Sequence, residues 1–110
     1  RNFINQYFSK PQISYIKIDS EFLSKKYEVT LTDRTEIDFD KKGNWTEVDC
    51  KKGAVPAALI PVSIKDYVKK NFPNEIITKI ERKGTGIEVE LANDFSLKFN
   101  KKGQFVSMDD

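Results

Sequence analysis

Residues 27–50 return, shifted by 60 positions and without a gap, as residues 87–110. Eight of the 24 positions are identical: Glu28/Glu88, Val29/Val89, Leu31/Leu91, Phe39/Phe99, Lys41/Lys101, Lys42/Lys102, Gly43/Gly103 and Asp49/Asp109. A shift of 64 aligns the preceding part through Phe3/Tyr67, Ile4/Val68, Phe8/Phe72, Ile13/Ile77 and Ile16/Ile80. The change of shift places four extra residues of the first copy in the loop around Asp19–Lys26. With 110 residues, neither half is long enough to bury a core alone, so the pattern predicts two like halves sharing one core. The expected organisation is a single domain over 1–110, with a first copy over 1–53 whose helix is truncated and a second over 54–110.

Each copy reads as a helix followed by four strands. In the second, Pro61 opens a helix and Pro73 closes it, and Ile60, Ile64, Tyr67, Val68 and Phe72 recur at helical spacing. In the first copy only the final turns are present, with Phe3, Ile4, Tyr7 and Phe8 on one side and Pro11 as the stop. Strands are expected at 12–18, 27–32, 36–40 and 45–50, and again at 76–82, 87–92, 96–100 and 104–108. Tyr27, Val29 and Leu31 alternate with Glu28, Thr30 and Thr32, the period-two mark of a strand buried on one face. The expected fold class is therefore α+β: a tandem repeat of helix plus four antiparallel strands, forming one eight-stranded antiparallel sheet with helices on one face.

The turns between strands carry their own chemistry. Asp-Lys-Lys-Gly-Asn at 40–44 and Asn-Lys-Lys-Gly-Gln at 100–104 place glycine third in a three-residue loop, the signature of a type I turn followed by a left-handed bulge. Trp45 and Phe105 should then share the core face with Phe39 and Phe99. The preceding turns, Thr32-Asp33-Arg34-Thr35 and Ala92-Asn93-Asp94-Phe95, lack the glycine that a two-residue loop favours. Two readings stand: a longer or open turn, or tips on which Arg34 and Phe95 were placed for contact.

Balance of charge narrows the chemistry. Nineteen Lys and Arg stand against 17 Asp and Glu, a net charge of +2, with signs interleaved, so no nucleic-acid partner is expected. The chain has no histidine and a single cysteine, Cys50. That removes the commonest general base and metal ligand, an internal disulfide and a thiolate zinc cage. Cys50 is expected as a free thiol, buried or partly buried. Asp38-Phe39-Asp40 before Gly43 lacks the spacing of a calcium loop. No carboxylate pair sits where burial would raise a pKa for acid catalysis, so no enzyme, no metal and no cofactor are expected. No apolar run reaches the roughly 20 residues a membrane span requires, so no membrane insertion is expected. Because the apolar pattern starts at Phe3, a preceding segment is expected to have been removed.

The paired Leu-x-Asx-x-x-x-[Ile/Leu]-x-Phe-[Asp/Asn]-Lys-Lys-Gly segments, the Asn71-Phe72-Pro73 helix end and the repeat itself resemble the PepSY-like family of small secreted bacterial proteins. That family's fold is similar to the tandem-repeat β-lactamase inhibitor protein. The resemblance implies a periplasmic or secreted protein with its signal peptide removed, two helix-plus-four-strand copies, and no catalytic residues to carry over. A binding or inhibitory role follows from it by analogy of fold alone.

Simple alternation puts Glu28, Thr30, Glu36, Asp38, Thr46 and Val48 on the face opposite the helices. In the second copy it puts Glu88, Glu90, Ser96, Lys98, Val106 and Met108 there, and the first strands add Tyr15, Lys17, Ile77 and Lys79. The leading expectation is a non-enzymatic protein-binding module that uses this open face and the hairpin tips to hold a protein or peptide partner. The candidate contact residues are Arg34, Asp94, Phe95, Tyr15, Val48 and Met108. Two alternatives stand beside it: a periplasmic inhibitory or accessory domain that restrains a protease, and a protein binder or inhibitor engineered on this scaffold.

Overall fold

Among the described residues, each strand but the last hydrogen-bonds to the one that follows it in sequence. The structure, a computed structural model, describes residues 13–19 and 26–109, with side chains from 27 onward. The strands are β1 (Ile13–Asp19), β2 (Lys26–Leu31), β3 (Glu36–Phe39), β4 (Trp45–Asp49), β5 (Ile77–Lys83), β6 (Gly86–Leu91), β7 (Ser96–Asn100) and β8 (Phe105–Asp109). They lie in sequence order in one antiparallel sheet. Between β4 and β5 the chain makes a short 3-10 turn, Ala57–Leu59, and the helix α1, Val62–Asn71.

The architecture differs from the expected one. In place of a tandem repeat of helix plus four strands, with helices on one face, the described residues form a mostly-β fold with one α-helix and a single sheet. Seven of its strands, β2–β8, have described side chains. The reading of a first helix on Phe3, Ile4, Tyr7, Phe8 and Pro11 lies outside the described residues. What the two halves share is strand register. Ile16↔Val29 and Lys17↔Glu28 in β1–β2 match Ile80↔Val89 and Glu81↔Glu88 in β5–β6, each pair of strands with a register shift at its start. Period-two patterns and turn residues set register locally, and they do not by themselves call for a second helix.

Helix α1 begins directly after Pro61, whose extended ψ of 144° leads into the first turn. It ends at Phe72, before Pro73, since the residue ahead of a proline is pushed out of helical geometry. Lys69 and Lys70 occupy the last turn, where cations offset the partial negative charge of the helix end. Ile64 and Val68 are buried in one cluster with Leu31, Ile37, Val48, Ile80, Val89, Leu91 and Leu97 of the sheet. Tyr67 stacks on Phe105 at 4.7 Å and meets Phe99 edge-on at 5.5 Å. Phe72 meets Phe95 edge-on at 6.2 Å.

The turns explain themselves by hydrogen bonding. Asp40 Oδ1 accepts from the N–H groups of Lys42 (2.9 Å) and Asn44 (3.0 Å), and Asn100 Oδ1 accepts from Lys102 (2.9 Å) and Gln104 (3.0 Å). Gly43 and Gly103 follow at φ +87° and +82°, the left-handed conformation that glycine adopts without steric cost. The glycine-free tips use the same three-residue loop. Arg34 N–H donates to Leu31 O (3.0 Å) and Asp94 N–H to Leu91 O (2.9 Å), with Arg34 and Asp94 at φ +76° and +72°. A longer turn than the two-residue loop therefore holds both, with a non-glycine residue in the glycine position.

Candidate interaction surface

Register decides which side chains share a face, because directly paired residues point the same way from the sheet. Across β2 to β6 the pairs run Glu28↔Asp38, Asp38↔Glu47, Glu47↔Glu81 and Glu81↔Glu88. Five carboxylates thus stand in one row on the face opposite α1, on adjacent strands about 4.8 Å apart. The row ends at Lys98, which pairs with Glu88, and in the other direction the register continues to Lys17, which pairs with Glu28. The next row runs Thr30, Glu36, Asp49, Lys79, Glu90, Ser96 and Asp109.

Cations among the described residues answer several of these charges. Lys83 Nζ donates to Glu88 at 2.6 Å, Lys51 Nζ reaches Glu36 at 3.1 Å and Asp49 at 3.4 Å, and Lys79 stands 4.0 Å from Glu47. The balance is visible at Glu47. Partial burial pushes its pKa above the ordinary carboxylate value, Lys79 pulls it down, and Asp38, Glu81 and Asp49 push it further up. Salt bridges raise the Lys51 and Lys83 ammonium groups, through Glu36 and Glu88 in first place.

The sequence-based contact residues do not form one site. Arg34, Asp94 and Phe95 lie at the same end of the sheet, but on turns separated by four strand spacings, roughly 19 Å at the usual spacing. Arg34 and Asp94 are exposed, whereas Phe95 is half-buried against the core and against Phe72. That corrects the expectation of an exposed ring. Tyr15 takes the register position opposite Thr30.

Val48 is 0 % exposed and pairs with Ile37 and Ile80, so it belongs to the core and not to the open face. The reason is a β-bulge: Phe39 pairs with Trp45 but Asp38 pairs with Glu47, so one extra residue inverts the alternation along β4. The bulge in β8 does the same for Met108, which pairs with Leu97 on the helix side of the edge strand and is 47 % exposed. At the start of β5 a third bulge turns Ile77 inward opposite Leu91. Glu47 and Asp49, which simple alternation sends inward, come out onto the acidic face instead. The register shift beside a glycine-bulge turn is the signal that would have found them.

Trp45 and Phe105 hold the equivalent positions opposite Phe39 and Phe99. Trp45 is buried, with the Arg82 guanidinium 3.7 Å over its ring, whereas Phe105 on the edge strand is 40 % exposed. Cys50 is a free, buried thiol whose pKa is pushed up to about 11, by burial in first place. At neutral pH it stays protonated and unreactive. Among the described residues no group of three or more His, Cys, Asp or Glu is placed to hold a metal ion. Among them too, no helix is long and apolar enough to cross a membrane.

Comparison with known proteins places this geometry. Residues 25–107 match the family model described as "Putative beta-lactamase-inhibitor-like, PepSY-like". The crystal structure of a "putative calcium-regulated periplasmic protein" from Bacteroides thetaiotaomicron is 45% identical, with a TM-score of 0.96, covering 99% of this chain and 86% of the other. A "putative periplasmic protein of unknown function" from Bacteroides vulgatus is 37% identical, with a TM-score of 0.95, covering 100% and 88%. A second "putative periplasmic protein" from Bacteroides vulgatus is 38% identical, with a TM-score of 0.94, covering 99% and 86%. A search of curated proteins gave no match.

Proposed function

The chain belongs to the PepSY-like family, and on that premise we propose that it is a non-enzymatic binding module whose open sheet face receives a cationic segment of a protein partner. Its localisation is periplasmic, like that of the three similar crystal structures. The observation that carries the reading is the row of five carboxylates on adjacent strands. Like charges directly opposite one another destabilise a sheet, and a conflict of this kind is retained where it serves a contact. A partner bearing Lys or Arg at strand spacing relieves the repulsion and forms charge-assisted hydrogen bonds. Nucleic-acid phosphates and anionic lipid headgroups carry the wrong sign for this face.

The test is titration with a lysine-rich peptide, read by fluorescence anisotropy at low and at high salt. Binding that weakens roughly tenfold as salt is raised, and weakens again by about as much in Glu47→Gln/Glu81→Gln, supports the reading. Absence of binding at low salt, or affinity indifferent to both changes, overturns it.

A further inference from the structure

At the last strand of the sheet, β8, one side of the backbone has no neighbouring strand among the described residues. Its apolar side chains are partly open as well: Phe105 is 40 %, Val106 60 % and Met108 47 % exposed. Natural sheets protect such an edge with lysine, proline, a bulge or a covering segment, and of these β8 carries the bulge at Val106. Neither lysine nor proline occurs in Phe105–Asp109, and although the Tyr67 ring stacks on Phe105, the described residues leave Phe105, Val106 and Met108 largely open. A row of unpaired amides and carbonyls flanked by apolar side chains fits another extended strand.

The charges around the strand select which one. Its N-terminal end follows Lys101 and Lys102, both exposed, and its C-terminal end carries Asp109, 72 % exposed at the side chain and only loosely paired with Lys98 at 3.9 Å. We propose that two copies of this chain pair through β8, antiparallel, into one continuous sheet. In that arrangement a two-fold axis near Ser107 sets Val106 opposite Met108 of the other copy. It also brings each Asp109 toward the opposing lysine turn. Parallel pairing would instead gather the lysines at one end and the aspartates at the other. The contact is self-complementary, as a closed two-fold interface requires. It uses neither the acidic face nor the turns that carry Arg34 and Asp94, so it stands or falls independently of the cationic partner.

Sedimentation velocity of the full chain over a concentration series tests the proposal. A monomer–dimer equilibrium is expected, weakened at least about tenfold by Val106→Lys, which places a cation at the centre of the interface. Val62→Lys, equally exposed at 66 % but on α1, leaves the equilibrium unchanged. Met108→Lys serves as a second edge variant should the first disturb folding. Concentration-dependent protection of the β8 amides from hydrogen exchange is expected alongside. The proposal is overturned by a chain that stays monomeric to millimolar concentration, including one whose β8 pairs only with a different protein. It is equally overturned by a dimer that resists both edge substitutions.

Discussion

Arg34 and Asp94 hold the left-handed conformation that Gly43 and Gly103 hold in the turns that follow them. For an L-residue this region costs roughly 1–2 kcal/mol, and less for aspartate, whose side chain tolerates it. Arg34→Gly should therefore raise unfolding free energy by about 0.5–1 kcal/mol in urea, after part of the gain is lost to the freer unfolded chain. A loss of stability would mean that the Arg34 side chain makes a contact the fold depends on. Gly86 is the opposite case. At φ +153° a Cβ there would overlap the Phe99 carbonyl oxygen and crowd Asn100 backbone atoms, so Gly86→Ala should cost about 2–4 kcal/mol. A melting temperature unchanged by that substitution would contradict the described β6–β7 pairing. The exceptional backbone at Arg34 was legible from the absence of glycine in the turn. That at Gly86 was not, because its need arises from how closely β7 approaches.

At the scale of elements, strand positions read from alternation fall within one residue of those observed, and α1 lies between the two prolines that bound it. What alternation missed was the bulges. A single extra residue in β4 sends Val48 into the core and brings Glu47 and Asp49 out, and nothing in hydrophobic periodicity marks where that residue is inserted. The same blindness put Met108 and Ile77 on the wrong face. Helix α1 docks through Ile64 and Val68, 0 % and 5 % exposed. Val68→Ala should lower stability by roughly 1–3 kcal/mol through lost burial and the cavity left behind. An unchanged urea midpoint would mean that the helix does not rest on the sheet.

For the whole molecule, a net charge of +2 conceals segregation. Paired lysines project from the turns at 41–42, 51–52 and 101–102 and from α1 at 69–70, while the open face of the sheet is acidic. Composition could not reveal this, since it depends on register across five strands. Charge on the acidic row opposes folding, and Glu47 is where this is read most directly, because burial first and the neighbouring carboxylates after it raise its pKa in the folded protein. The sign is determined: a carboxyl with a raised folded pKa contributes stability that is full below its unfolded value and is lost as pH rises through the folded one. The most direct measurement is the urea midpoint of Glu47→Gln against the parent chain at acidic and neutral pH, followed by the fluorescence of Trp45. The variant should be the more stable at pH 7, and the difference should fade toward pH 3.5, where both side chains are uncharged. A variant less stable than its parent at pH 7 would show that the attraction of Lys79 outweighs the burial of the charge and the repulsion of Asp38, Glu81 and Asp49 together, and that the row does not oppose folding.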